Sequence, residues 1–371
     1  MLKRPLRPLI MHALRLLDYH DLPKHKVEGI KSLHSSRHMS TITTFLLCVI
    51  FTICYFFTIP IACANDWGLE MQPIELDMCD SVILHYDGKT WSPVYHKFNM
   101  WLDDIYGFDD NNIFAVGAQG AILHYDGKSW TNQESRTPYR LNKIWGNSQN
   151  NVYISGDYGT ILYSEGTSWK RQDTGMSNWL SGVWGFHEKY LFIVGALGKI
   201  VHYNEEKWSE HNSGTTNWLY GIHGNSRDNV WAVGDYGTTL HYNGKKWTKP
   251  IQNSNKRLTS VWVADSKNVF IAGADGFIIH YNKMKWTRQT SGSDNWLRRI
   301  WGFDTNNIFA VGDYGTILYY DGTKWNKQNS GTNYLLLGIW GNRLDNVYVV
   351  GSSQRGRYDR LLDTLPESKP R

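Results

Sequence analysis

Asn295-Trp296-Leu297-Arg298-Arg299-Ile300-Trp301-Gly302-Phe303-Asp304-Thr305-Asn306-Asn307-Ile308-Phe309-Ala310-Val311-Gly312-Asp313-Tyr314-Gly315-Thr316-Ile317-Leu318-Tyr319-Tyr320-Asp321-Gly322-Thr323-Lys324-Trp325 is one copy of a unit that fills most of this chain. Its apolar runs are short, β-branched and aromatic, and turn residues bound each of them. That is the grammar of strands and hairpins rather than of helices. Asp321-Gly322 is a strong hairpin signal, because glycine tolerates positive φ. The unit holds a strand from Trp296, a second from Ile308, a third from Thr316 and a last one around Trp325. Four strands in about 40 residues is the size of one propeller blade.

The period is fixed by Trp91, Trp130, Trp169, Trp208, Trp247, Trp286 and Trp325, each 39 residues after the last. The pattern begins in mid-unit, at the third strand Val82-Ile83-Leu84-His85-Tyr86-Asp87-Gly88. It stops in mid-unit, after the second strand Asn346-Val347-Tyr348-Val349-Val350-Gly351. Seven times 39 is 273, which is the length of the segment 79–351, so the two fragments tile one blade. A ring closed by strands from both chain ends leaves no open sheet edge. An open solenoid would instead need polar caps. The expectation is an all-β fold: a monomeric seven-bladed β-propeller of 39-residue four-stranded blades, closed in one composite blade. The 18 Trp, 22 Tyr and 34 Gly suit it, and the periodic tryptophans are expected to wedge between neighbouring blades.

The N-terminus is of another kind. Residues 1–43 carry eight Lys or Arg and three Asp or Glu, a net of +5, equal to that of the whole chain. Residues 65–371 therefore balance, with 31 basic and 31 acidic side chains. The run 45–62 holds no charge. A basic flank before an apolar run is an export or anchoring signal, with its basic side left in the cytoplasm. Three outcomes stay open at its end. Ala62-Cys63-Ala64 offers a small-residue cleavage site, Ile61-Ala62-Cys63 resembles a lipobox that would lipidate Cys63, and an uncleaved run of 18 residues is just long enough to span a bilayer. The division is then 1–64 flank and signal or anchor, 65–78 linker, 79–351 propeller and 352–371 irregular tail. The propeller is expected to be exported, to the periplasm or cell surface or tethered to the membrane through 45–62 alone. Cys48 and Cys54 lie in the apolar run, so the propeller is not expected to rely on a disulfide.

Several clusters invite chemistry and are better read as structure. His85, His124, His202, His241 and His280 recur at one blade position, with Tyr163 and Tyr319 in their place twice. Packed sheets lie about 10 Å apart, so such residues cannot converge on one metal ion. A repeated hydrogen-bonding role is expected. Asp-x-Asn runs such as Asp304-Thr305-Asn306 lack the Gly and distal Glu of a calcium loop and suit turns. Gly117-Gly120, Gly156-Gly159 and Gly312-Gly315 are hairpin turns with no helix after them to hold phosphate. No cofactor or metal is expected. The exported part, residues 65–371, has no net positive charge and is also a poor match for nucleic acid.

A binding face shows in what varies at fixed positions. The loop leading into each blade and the turn between its second and third strands share one face of a propeller. The lead residues are Trp101, Arg140, Trp179, Trp218, Arg257, Trp296 and Leu335. The turns carry Asp157-Tyr158, Asp235-Tyr236 and Asp313-Tyr314, alternating with Ala118-Gln119, Ala196-Leu197 and Ala274-Asp275. Trp, Tyr and Arg on one rim are the material of binding hot spots, and exposed loop aromatics lean functional. The competing expectation is that the lead tryptophans merely pack on the adjacent blade.

Ala115-Val116-Gly117-Ala118-Gln119-Gly120-Ala121-Ile122-Leu123-His124-Tyr125-Asp126-Gly127-Lys128-Ser129-Trp130 resembles the repeat of the photosystem II assembly-factor propellers and the wider BNR-like group. The resemblance recurs through 79–351. It implies a non-catalytic exported propeller that chaperones assembly or binds at a cell surface. A sialidase Asp box differs, since Asp126 and Gly127 are adjacent here and Trp130 comes one residue sooner. Two function classes follow: a scaffold binding protein or glycan through the aromatic rim, or a glycan-active hydrolase. A carboxylate pair about 5–10 Å apart in a rim pocket would favour the hydrolase.

Overall fold

The structure is a computed structural model, and it describes residues 80–353 apart from 167, 188 and 251–253. The expectations for the flank, the apolar run, Cys63, the linker and all of the tail after Ser353 lie outside the described residues.

Seven antiparallel sheets of four strands each make a seven-bladed propeller. Six blades are continuous: 102–132, 141–171, 180–211, 219–248, 258–289 and 297–328, here blades 1 to 6. Within each, the strands lie in chain order, and the first strands of successive blades adjoin one another around the ring. Blade 7 is composite. Its two inner strands are Leu335–Arg343 and Asn346–Ser352, and its two outer strands are Ser81–Tyr86 and Trp91–Lys97. The closing register runs from Ser81 opposite Ser352 to Tyr86 opposite Val347. The last strand reaches Ser352, one residue past the expected limit at 351. Ser352 Oγ there accepts the Leu102 N–H at 3.0 Å, tying the composite blade to blade 1. The Ser353 N–H donates to the Asp80 carbonyl at 2.7 Å.

The periodic tryptophans open the fourth strands and wedge as expected. Trp91, Trp169, Trp247 and Trp286 meet Phe309, Phe114, Phe192 and Trp231 of the preceding blade edge-on, at 5.6–6.2 Å. Such T-shaped pairs gain from the ring quadrupole beyond buried area. Trp91 and Trp169 also donate their indole N–H across the junction, to Gln328 at 2.6 Å and Gln133 at 2.7 Å.

A second ring sits on the first strands: Tyr106, Trp145, Trp184, His223, Trp262, Trp301 and Trp340. Several of these lie on the glycine one place further along in the next blade. A Cβ on Gly185 would stand 2.6 Å from the Trp145 ring, and one on Gly107 would stand 2.7 Å from Trp340. Where blade 5 has Val263 instead of glycine, blade 4 has His223 instead of tryptophan. The smaller ring leaves room, and its Nδ1 accepts the Val263 N–H at 3.1 Å.

Three of the five repeated histidines have the hydrogen-bonding role expected of them, while His124 and His202 stack on Phe114 and Phe192 with Nε2 unpaired. His85, His241 and His280 place Nε2 2.8–3.0 Å from the amide oxygen of an asparagine at the start of the second strand: Asn346, Asn229 and Asn268. The tyrosine at position 163 makes the same bond to Asn151 at 2.9 Å, and Tyr319 to Asn307. The imidazoles also stack on second-strand aromatics, His280 on Phe270 at 3.9 Å and His202 on Phe192 at 4.1 Å. In blade 3 Tyr190 replaces the asparagine, and His202 Nε2 is buried without a hydrogen bond. The Asp-x-Asn turns bind themselves: Asp304 accepts the Asn306 N–H at 2.8 Å and the Asn307 amide at 2.9 Å.

Two predictions follow from this packing. Deleting residues 346–371 removes the second strand of the composite blade. We expect the truncated chain to lose its single cooperative unfolding transition in calorimetry and to aggregate, because two sheet edges open. A propeller that melts like the full chain would contradict the closure. The second concerns pH. Burial holds His202 down at about 4, with His211 and Arg227 adding to it, and holds His223 at about 3, with Arg299 adding to it. Both are neutral in the folded state and would titrate near 6.5 when unfolded. Their contribution is complete above pH 6.5 and fades as pH falls towards 4 and then 3. His202→Tyr, which copies blades 2 and 6, should flatten part of that acid slope in urea titrations.

Candidate functional site

The backbone puts the lead residues and the second hairpin turns together. In each continuous blade the N–H of the first turn residue donates to the lead carbonyl: Asp157 to Arg140, Asp235 to Trp218 and Asp313 to Trp296, all at 2.9 Å. Just after the lead position every first strand carries a bulge, for example between Leu102 and Asp104 and between Leu219 and Gly221. Bulges re-aim side chains. Asp103, Tyr220 and Arg298 occupy bulged positions, and all three contact lead or turn residues.

The lead side chains touch one another along two arcs. In the first, the Arg140 guanidinium lies over the Trp101 ring at 5.3 Å and pairs with Asp103 through Nε at 2.7 Å. The Trp101 indole N–H donates to the same carboxylate at 3.0 Å. In the second, Trp179 meets Trp218 edge-on at 5.4 Å, and Trp218 adjoins Tyr220 at 6.1 Å. The Arg257 guanidinium then bridges the Tyr220 ring at 5.2 Å and the Trp296 ring at 5.3 Å, and Arg298 covers Trp296 at 4.7 Å. Trp101, Trp218 and Trp296 are thus half-buried by neighbours on this face. Trp179 is 43% exposed. Leu335 opens the first strand of blade 7 and is half-buried.

The aspartates of the turns anchor these cations. Arg257 Nε donates to Asp235 Oδ1 at 2.7 Å, and the Tyr220 hydroxyl to Oδ2 at 3.1 Å. Arg298 grips Asp313 with two bonds, at 2.6 and 2.8 Å. Asp157 accepts from the Asn142 amide at 2.8 Å, and burial pushes its carboxyl pKa up against the pull of Asn142 and Arg140.

The turn tips stand apart from this paired layer. Gln119, Tyr158, Leu197, Tyr236, Asp275 and Tyr314 all adopt φ of 54–58°, followed by a glycine with positive φ. The turn closes with the Thr238 N–H donating to the Asp235 carbonyl at 3.0 Å. This is a type I′ hairpin, whose first central position favours Asn, Asp or Gly. Gly237 is held from beneath, since a Cβ there would sit 1.7 Å from the Ser254 carbonyl. The residue before it has no such constraint, yet it carries a bulky side chain in the left-handed region at a cost of about 1–2 kcal/mol. Tyr236, Tyr314 and Leu197 are 66%, 63% and 63% exposed, and Tyr158 leans on Tyr139 at 4.7 Å.

The sequence singled out the lead residues, the turn aspartates and the tips of this rim. It missed Asp103, Tyr220 and Arg298, which lie two places after the lead in strands whose alternation would bury or splay them. Only the bulge brings them to the face. Two cavities stand out elsewhere. One, of about 520 Å³, lies between blades 4 and 5, and one of about 300 Å³ lies between 174–178 and the outer strands of blade 3. Neither is lined by two carboxylates.

No known family matches the sequence, and no curated protein does. Solved structures do match. YCF48 from Cyanidioschyzon merolae superposes with a TM-score of 0.58 at 16% identity, covering 70% of this chain and 98% of that one. YCF48 bound to a D1 peptide gives 0.57 at 13%, covering 77% and 99%. The WD40 propeller domain of Doa1 gives 0.57 at 13%, covering 73% and 97%. At such identities the likeness shows the fold: a β-propeller of the kind found in YCF48 and WD40 proteins.

The tip geometry makes a direct prediction. Tyr236→Gly removes a side chain from a left-handed position that glycine occupies without strain. We expect it to raise the unfolding free energy by about 1 kcal/mol, read by urea denaturation. A loss of stability would mean that the Tyr236 ring contributes packing after all.

Proposed function

We propose that this chain is a non-catalytic binding or assembly scaffold, and that its ligand is a segment of another protein held on the face of lead residues and turn tips. The observation that carries this is the coincidence of two rings on one face. The inner arcs hold tryptophans and arginines in fixed pairs, and the tips around them present exposed Tyr236, Tyr314 and Leu197 in a strained conformation. Strain at a surface tip that packs nothing is a functional signature. Trp, Tyr and Arg are the residues in which binding energy concentrates. One propeller of the same fold has been solved with a peptide, D1, bound to it. A glycan on this face is the competing ligand, and neither of the two cavities described above is lined by the two carboxylates that a sugar hydrolase would use.

Export belongs to the same proposal. It rests on the charge-free run 45–62 after a flank of net +5, and on residues 65–371, whose charges cancel. Membrane contact would come through that run, whether it is cleaved, kept as an anchor or replaced by a lipid on Cys63.

The test uses the full-length chain against an immobilised library of extended peptides, with a glycan array in parallel. Replacing Trp179, Trp218 and Trp296 together with alanine should weaken peptide capture about 30-fold or more, the size of a hot-spot loss of about 2 kcal/mol. Circular dichroism of the triple variant should match that of the parent. If the variant unfolds, the tryptophans are core and the site is elsewhere. If peptide capture persists, the rim is not the site.

A further inference from the structure

The repeat is broken at three places on its outer wall, His211 in blade 3, Pro250 in blade 4 and Val94 in blade 7, and a cavity opens at the second. Three residues after the fourth-strand tryptophan, blades 1, 2, 5 and 6 carry Gln133, Gln172, Gln289 and Gln328. Gln133 and Gln328 reach across the next junction and accept the indole N–H of the following tryptophan. Blade 4 carries Pro250 at this place. Proline has no N–H for the ladder and cannot reach across. The strand there is only Trp247–Thr248, whereas blades 5 and 6 have Trp286–Gln289 and Trp325–Gln328.

The tryptophan facing this gap is Trp286, whose indole N–H, like the buried ones of Trp247 and Trp325, has no partner among the described residues. Pro250 borders the cavity of about 520 Å³ already noted, together with Asn229, Trp231, His241, Ser266, Tyr281 and Trp286. Small-molecule sites have volumes of roughly 300–1,000 Å³. Trp286 stacks with Tyr281 at 5.0 Å and meets Trp231 edge-on at 5.6 Å, which makes a rigid aromatic wall. The polar wall is fixed too. Asn229 Oδ1 lies 2.9 Å from both His241 Nε2 and Trp231 Nε1, and its amide donates to Asn225 at 2.7 Å. Among the described residues, no Asp, Glu, Lys or Arg lines the cavity.

We propose that this cavity between blades 4 and 5 binds a neutral sugar ring. A neutral lining leaves nothing to pair with a charged ligand, and burying an unpaired charge there would be costly. A sugar offers an apolar C–H face for the indole and tyrosine rings and hydroxyls at its edge for the free indole N–H, the imidazole and the serine. The site is independent of the peptide-binding rim, because it lies on different strands and uses none of the rim residues.

The experiment is saturation-transfer NMR and tryptophan-fluorescence titration of the full-length chain with glucose, galactose, mannose and N-acetylglucosamine at millimolar concentrations. Glucose 6-phosphate and N-acetyltryptophanamide serve as charged and aromatic comparisons. At least one neutral sugar should saturate and outcompete both comparisons. Pro250→Gln, which installs the residue that bonds across the junctions after blades 1 and 6, should weaken that sugar at least tenfold with the melting temperature unchanged or raised. Trp286→Phe keeps a ring but loses the N–H, and should weaken it about 3- to 10-fold. The proposal is overturned if no neutral sugar saturates, if Pro250→Gln binds as tightly as the parent, or if N-acetyltryptophanamide binds more tightly than the sugars.

Discussion

The pairing of Ser81–Tyr86 with Asn346–Ser352 is the constraint on which this molecule depends. Asp80 and Ser353, which bond beside that ladder, are 273 residues apart. Closing so long a loop is entropically the most demanding contact in the fold, although the cost grows only logarithmically with length. The return is geometric. Fourth-strand tryptophans such as Trp91 and Trp169 wedge against the blade before them, and first-strand aromatics such as Trp145 and Trp340 lie on the blade after them. Both series are complete only when blade 7 has two neighbours, and without the closing strands the contacts of Trp91 with Phe309 and of Trp340 with Gly107 go together.

Within that ring the repeat conserves contacts between blades and frees positions on the face. Gly185 cannot change without displacing Trp145, and Gly237 cannot change without moving the Ser254 carbonyl. The exception shows the same rule, because Val263 arrives with His223 and a hydrogen bond replaces ring-on-glycine packing. By contrast the tip before each conserved glycine is occupied by Gln, Tyr, Leu, Tyr, Asp and Tyr in turn. A position that is backbone-constrained, costly and chemically diverse is not explained by folding alone.

The parts of this legible in the sequence were those that need only counting or local chemistry. The period of the tryptophans gave the blade, and the two half-units gave the closure. The alternation of His241 with Tyr163 and Tyr319 at one position argued for a hydrogen bond that either ring can make, and asparagine is the partner both use. What stayed hidden depends on the third dimension. The bulge that turns Asp103 and Arg298 outward has no signature in a run such as Leu297-Arg298-Arg299-Ile300. The lead tryptophans read equally well as core or as surface, and the structure divides them: Trp179 is open, while Trp296 lies between two guanidinium groups. Pro250 was visible, but its consequence was not, because the glutamine it replaces acts on the next blade.

The arginine pairs bear on how such a face can hold a ligand. An unrestrained arginine loses much side-chain entropy when it is fixed by a partner, at about 0.5–1.5 kcal/mol for each immobilised side chain. Arg257 and Arg298 have already lost it. Each is clamped by an aspartate of a turn and laid against an aromatic ring. The ion pairs themselves, partly open to water, contribute little to stability. Their effect is to hold flat, cationic, ring-stacked surfaces in place before any partner arrives. The tips complete the arrangement, because a side chain on a type I′ turn pinned by its glycine moves with the blade rather than with a loop. A propeller built this way offers a nearly rigid patch without any inserted loop, which is how a chain of almost constant 39-residue units can carry a specific surface at all.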